Sequence, residues 1–163
     1  VQSKLNEGTT FYILFHSILL GESEGMEEKH SKENVNSGAL LGKILVVEDN
    51  KTNQMLIGMI LEDLGLEFVV ANDGKEAVDI FENDASFDLI LMDENMPVMN
   101  GVEAVKRMRE MESAQERQRT PIIAVTANAL SEDRQRFLDA GMDYYVAKPY
   151  SESIIESTIR KYL

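Results

Sequence analysis

Five short apolar runs punctuate the chain from Lys43 onward: KILVVE (43–48), FVVA (68–71), FDLILMD (87–93), PIIAVTA (121–127) and YYVA (144–147). They are rich in Val, Ile, Leu and aromatic residues, and none alternates polar with apolar. Continuous apolar runs of this length mean strands covered on both faces, as in a parallel sheet. The segments between them have helical length. Residues 52–64 carry Met55, Leu56, Met59, Ile60 and Leu64 at helical spacing, and Gly65 is placed to end that helix. Residues 74–83 put Ala77, Val78 and Phe81 on one stripe, and 101–111 do the same with Val102, Val105 and Met108. Ser131 reads as the N-cap of a helix over 132–139 that Gly141 stops, and Ser151 as the cap of a last helix striped by Ile154, Ile155, Ile159 and Tyr162. Five βα units over 43–163 predict a doubly wound α/β domain.

The first 42 residues follow a different pattern. Residues 1–20 pass from a polar turn into a β-branched, aromatic stretch that reads as a strand over 9–20. Residues 21–42 are rich in Gly, Glu, Ser, Lys and Asn with few apolar anchors, which predicts a flexible linker.

Composition removes several classes of chemistry. Cysteine is absent and His16 and His30 are the only histidines, so thiolate sites and histidine-rich metal centres are excluded. Sixteen basic against twenty-nine acidic residues give a net charge of −13, so neither nucleic acid nor an anionic membrane is an expected partner. The run from Phe11 to Leu20 is about half a membrane span, and no basic-then-apolar leader opens the sequence. A cytosolic protein is expected. The last helix runs to Leu163, so a DNA-binding output domain is not expected.

In an open parallel sheet, ligands gather outside the carboxyl ends of the strands. There the first predicted strand ends in Glu48-Asp49, the third in Asp93 and the fourth in Thr126, and Lys148-Pro149 follows the fifth. Asn72-Asp73 ends the second, with no reason to join the site. Singly, each residue has an ordinary reading: Glu48, Asp49 or Asn50 could cap the next helix, and Asp93 could be a turn acid. Their joint placement carries the argument. Three clustered carboxylates repel by about 1–4 kcal/mol per close pair, and a hard, oxygen-seeking cation such as Mg²⁺ offsets that. A carboxylate beside Mg²⁺ and a lysine can act as a nucleophile toward a phosphoryl group, forming an acyl phosphate.

These residues carry a family likeness. KILVVEDN (43–50), DLILMDENMPVMNG (88–101), PIIAVTANA (121–129) and AGMDYYVAKP (140–149) together resemble the receiver domain of response regulators, the phospho-aspartate module of two-component signalling. The resemblance implies a (βα)5 flavodoxin-like fold with a five-stranded parallel sheet of order 2-1-3-4-5. It implies Asp93 as phosphoacceptor, Asp49 as a direct Mg²⁺ ligand, Glu48 as a ligand through water, and Asn95 as a ligand through its backbone carbonyl. Thr126 and Lys148 would hold the phosphoryl oxygens, Tyr145 would be the switch aromatic, and Lys148-Pro149 would be cis. Glu48 stands where aspartate is commoner, and Asn100 where aspartate often precedes the glycine.

SKLNEGTTFYILF (3–15) resembles the end of the ATP-binding domain of sensor histidine kinases, through Ser3, Gly8, Thr9 and Phe11. Glycine-rich ATP-lid motifs are absent, so the chain is not itself a kinase. A kinase remnant (1–20), a linker (21–42) and a receiver (43–163) describe part of a hybrid histidine kinase. Its expected partners are a phosphodonor domain of such a kinase and a histidine phosphotransfer domain, with a possible dimer through the 9–20 strand. A stand-alone response regulator is the alternative. A Mg²⁺-dependent aspartyl-phosphate hydrolase is more distant, because its D-x-D signature needs an acid where Asn95 stands.

Overall fold

The computed structural model describes residues 2–4, 8–10, 40–127 and 131–163, with side chains described from Leu40 on except at 128–134. The chain divides into two compact units, Val1–Val35 and Asn36–Leu163. The first contains a hairpin of β1 (Gln2–Lys4) and β2 (Gly8–Thr10), antiparallel with Ser3 opposite Thr9. Of the strand expected over 9–20, Thr9 and Thr10 are described, as part of β2. Its continuation over 11–20, any pairing of copies through it, and most of the expected linker lie outside the described residues.

The second unit alternates strand and helix: β3 (Lys43–Val47), α1 (Lys51–Asp63), β4 (Glu67–Ala71), α2 (Gly74–Asn83), β5 (Leu89–Asp93), α3 (Gly101–Ala114), β6 (Ile122–Thr126), α4 (Ser131–Ala140), β7 (Tyr144–Ala147) and α5 (Glu152–Tyr162). All five strands pair in parallel, in the order β4-β3-β5-β6-β7, which is 2-1-3-4-5 counted from β3. The unit reaches back at least to Leu40, which packs on the core, and Gly42, whose carbonyl accepts from Glu67 N.

Alternation along each strand splits the core in two. Leu45, Val47, Ile90 and Met92 face a layer of α2, α3 and α4, including Phe81, Val105, Met108 and Phe137. Ile44, Val46, Leu89 and Leu91 face α1 and α5 through Ile57, Leu61, Ile155 and Ile159. Both faces are covered, which is why the strands read as unbroken apolar runs. At the amino-terminal edge, Arg109 closes the sheet: Nε donates to Gly141 O (2.9 Å), one terminal nitrogen to Glu112 (2.6 Å) and Thr120 O (2.9 Å), the other to Asp143 (2.9 Å).

Several helix details differ from the sequence reading. On α1 the buried residues are Gln54, Ile57, Gly58, Ile60 and Leu61, whereas Met55, Leu56 and Met59 are 69%, 45% and 58% exposed. The 57-60-61-64 stripe outcompetes them, because Gly58 and the amide of Gln54 share its side of the helix. Phe68 fills the space over Gly58, and the Gln54 amide is satisfied by Glu48 O and Asn72. On α5, Ile154 is exposed while Ile155 and Ile159 are buried. Ser131 is the first residue of α4, not its cap; Ser151 is the N-cap of α5 as expected, though its hydroxyl meets Ser153 rather than the helix backbone. No helix among the described residues is long and apolar enough to cross a membrane.

Candidate functional site

Parallel register brings the strand ends level, pairing Val47 with Met92, Asp93 with Val125, and Thr126 with Ala147. Asp93 and Thr126 are therefore the last residues of β5 and β6, and Glu48 and Lys148 follow β3 and β7 directly. The first loop sorts its three polar residues by reach. Asn50 caps α1, its side chain accepting from Thr52 N (2.9 Å) and Asn53 N (3.2 Å). Glu48 and Asp49 are left for the site. One carboxylate oxygen each from Glu48, Asp49 and Asp93 lie within 4.8 Å of one another, and of the three only Asp49 is exposed.

Lys148 reaches into this cluster. Its ammonium is 2.7 Å from Glu48 Oε2 and 3.0 Å from Asp93 Oδ2. Glu48 Oε1 accepts from Asn50 N (3.2 Å) and Asn53 Nδ2 (3.0 Å), so both its oxygens are engaged. Burial pushes the Asp93 carboxyl above its ordinary pKa; Lys148 opposes the rise and the Glu48 charge adds to it. Burial works against the Lys148 ammonium, but hydrogen bonds to Glu48 and Asp93, with their charges, hold its pKa above the usual lysine value. Burial thus discourages Asp93 from ionising, and Lys148 is the cation placed to offset that and favour the carboxylate.

Asn95 N donates to Asp93 Oδ1 (3.4 Å), which holds the following loop against the carboxylate. That loop is fixed from behind by Gly101, whose N donates to Glu94 O (2.9 Å); a Cβ there would lie 2.2 Å from Asp93 O. Lys148-Pro149 is cis, as the resemblance implies. Tyr145 is half-buried on β7, opposite Ala124, and packs on the α2/α3/α4 side of the core. Asn72 and Asp73 stay apart: Asp73 caps α2, and Asn72 bonds Gln54, Lys51 and Glu76. Beside the acids, a cavity of about 320 Å³ is lined by Asn53, Leu56, Lys148, Pro149 and Tyr150. The Tyr150 hydroxyl is buried, with no hydrogen-bond partner among the described residues, and burial raises its pKa.

One residue escaped the sequence reading. Glu94 is 6% exposed, accepts a 2.5 Å hydrogen bond from Thr126 Oγ1, and forms an ion pair with Arg136 of α4. The available signal was its position, an acid directly after the strand-end aspartate, but its partners lie 32 and 42 residues away and no local pattern announces them.

The donors fit Mg²⁺: three carboxylates, each with an oxygen within 4.8 Å of the others, all hard oxygens with no nitrogen or sulfur ligand in the cluster. Over 72% of its length the chain is 42% identical to a hybrid signal transduction histidine kinase of Dictyostelium discoideum, of which the match is 7%. It is 38% identical over 120 residues to the sensor protein GacS of Pseudomonas syringae pv. syringae, covering 74% of this chain and 13% of GacS. The chain thus spans a small part of these two sensor kinases, and what it matches in them is their receiver domain; it is also 38% identical to two-component response regulator 24 of Arabidopsis thaliana, over 72% of this chain and 81% of that protein. Among solved structures it superposes on the receiver domain of sensor histidine kinase PA1611 from Pseudomonas aeruginosa PAO1, which holds a magnesium ion in its active-site cleft. That match has a TM-score of 0.67 and 39% identity, over 76% of this chain and 98% of that one. The sequence profile of the response regulator receiver domain matches residues 44–160, and the chain belongs to that family, the receivers of two-component signalling.

Proposed function

We propose that Asp93 of this receiver accepts a phosphoryl group from a phosphohistidine, and that the domain works within a hybrid histidine kinase. The observation that supports this most directly is the contact of Asp93 Oδ2 with Lys148, with Glu48 and Asp49 completing the cluster. A carboxylate oxygen of Asp93 attacks phosphorus, the phosphorus–nitrogen bond to the donor imidazole breaks, and the leaving nitrogen keeps the electron pair and is protonated from solvent. Asp49, Asp93 and the Asn95 carbonyl would hold Mg²⁺ directly. Glu48, whose oxygens are already engaged, would act through water. When bound, the metal neutralises charge on the transferring oxygens. Lys148 exchanges its contact with Asp93 for a phosphoryl oxygen, and Thr126 donates to another. Tyr145 then turns inward, changing the face made by α4, β7 and α5.

A donor must approach from above the strand ends, and α1 offers it a surface. Met55, Leu56 and Met59 are exposed there, and Leu56 lines the cavity that also contains Lys148. Single exposed apolar residues are ordinary, but three on one helix beside a charged site form a docking face. Its occupant is a phosphohistidine-bearing domain of the kinase or a histidine phosphotransfer domain. A partner of this kind is supported by one structural neighbour, a co-crystal of the yeast histidine phosphotransfer protein Ypd1 with the receiver domain of Ssk1 (TM-score 0.71, 30% identity, over 74% of this chain and 87% of that one). The test is intact-mass measurement after incubation with Mg²⁺ and acetyl phosphate. One phosphoryl adduct on the wild type and none on Asp93→Ala is expected; an adduct on both would overturn the assignment.

A further inference from the structure

We propose that Glu94 is a positioning residue: it holds the Thr126 hydroxyl in the resting domain and so sets how readily the phosphoryl site closes. The inference rests on the assignment of Asp93 and Thr126 made above. Asp93 and Glu94 are adjacent at the end of β5, and successive side chains leave a strand on opposite faces. Asp93 faces Lys148 and Glu48, while Glu94 faces the end of β6 and α4.

Thr126 is fully buried, and its hydroxyl donates to Glu94 Oε2 at 2.5 Å. A hydroxyl carries a single proton, so it serves Glu94 or a phosphoryl oxygen but not both at full strength. Glu94 cannot follow Thr126 if it moves. Its other carboxylate oxygen is paired with Arg136, and its backbone is fixed by Gly101 N on its carbonyl (2.9 Å) and by its own N–H on Val125 O (3.4 Å). Closing the site therefore exchanges one charge-assisted hydrogen bond for another. The same exchange frees the Glu94 carboxylate, which α4 holds through Arg136, so the resting bond also couples the phosphoryl site to α4.

Beryllofluoride with Mg²⁺, a mimic of the phosphoryl group, reads this exchange by fluorine-19 NMR titration. Glu94→Gln keeps the shape and replaces a charged acceptor with a neutral one, which tightens beryllofluoride binding about tenfold. In a Thr126→Ala background the same substitution changes affinity less than twofold, and in Thr126→Ser, which restores a hydroxyl, the effect returns. Glu94→Leu, with no acceptor at all, shifts affinity in the same direction, and the thermal midpoint of each variant confirms folding. A Glu94→Gln effect that persists undiminished in Thr126→Ala would mean simple charge repulsion and overturn the proposal. Normal wild-type binding with no change in Glu94→Gln would overturn it alone. Failure of the wild type to bind would overturn the site assignment, and this inference with it.

Discussion

Replacing Lys148 with methionine isolates the charge logic of the site. The ammonium lies 2.7 Å from Glu48 and 3.0 Å from Asp93, whose side chains are 2% and 8% exposed. At an effective dielectric of about 20, each contact represents roughly 6 kcal/mol of gross attraction. Desolvation of the three groups offsets most of it, and deleting one partner of a buried pair costs about 3–5 kcal/mol. Lys148 keeps 20% of its side-chain surface in water, which sets the expected loss at the lower end, about 3 kcal/mol. Methionine retains an apolar stem, so the loss is mainly that of charge. The ammonium and a divalent cation compete for the same carboxylates, so the variant binds Mg²⁺ more tightly. Each tenfold gain in affinity closes the stability gap by about 1.4 kcal/mol at saturating metal. Urea unfolding followed by circular dichroism is expected to show the full gap in EDTA and, for a tenfold gain in Mg²⁺ affinity, a gap of about 1.6 kcal/mol in saturating Mg²⁺. An equal gap in both buffers would refute the competition, and with it the assignment of these carboxylates as metal ligands.

Three further outcomes are expected. Asp93→Asn stabilises the metal-free domain by about 1 kcal/mol at pH 7. Burial raises the carboxyl's folded-state pKa above its ordinary 3.8, so the stability it contributes is present below 3.8 and is lost as pH rises through the folded value. Urea midpoints in EDTA should therefore converge as the pH falls toward 3.8, and a gap that widens on acidification would contradict the burial argument. Gly101→Ala puts a Cβ 2.2 Å from Asp93 O and is expected to cost about 3 kcal/mol while slowing acetyl phosphate uptake; a thermal midpoint equal to wild type would show that the loop yields freely. Leu56→Glu leaves stability within about 0.5 kcal/mol and acetyl phosphate uptake intact, yet slows transfer from a phosphohistidine donor about tenfold. Unchanged transfer in rapid-quench kinetics would remove α1 from the docking surface.

The sheet was legible because both its faces are covered. Ile44 to Val47 and Leu89 to Met92 are at most 1% exposed, so burial overrides the alternation that a one-sided sheet would show. Glu48, Asp49, Asp93, Thr126 and Lys148 were legible for a topological reason: each sits where a parallel strand stops, and every parallel strand stops on the same edge. The α1 face was misread because apolarity alone does not choose between two stripes. Gln54 and Gly58 decide it, one by satisfying its amide inside and the other by making room for Phe68. Which of Glu48, Asp49 and Asn50 caps α1 also needed geometry, since only the Asn50 side chain meets both Thr52 N and Asn53 N. Glu94 stayed hidden because its meaning lies in long-range partners.

The span between Glu48 and Lys148 has a consequence for the order of assembly. The two ends of that contact are 100 positions apart, and β7, which delivers the lysine, is an edge strand paired, among the described residues, with β6 alone. Contacts so distant in sequence form late, after the loop-closure entropy between them has been overcome. Unpairing β7 from β6 would withdraw the Lys148 ammonium and leave Glu48 and Asp93 without their cation. Electrostatic repulsion then opposes the top edge, until the strand returns or a divalent ion arrives. The charge balance of the site thus depends on the sheet's outermost strand: the lysine meets Glu48 and Asp93 only while β7 is joined to β6.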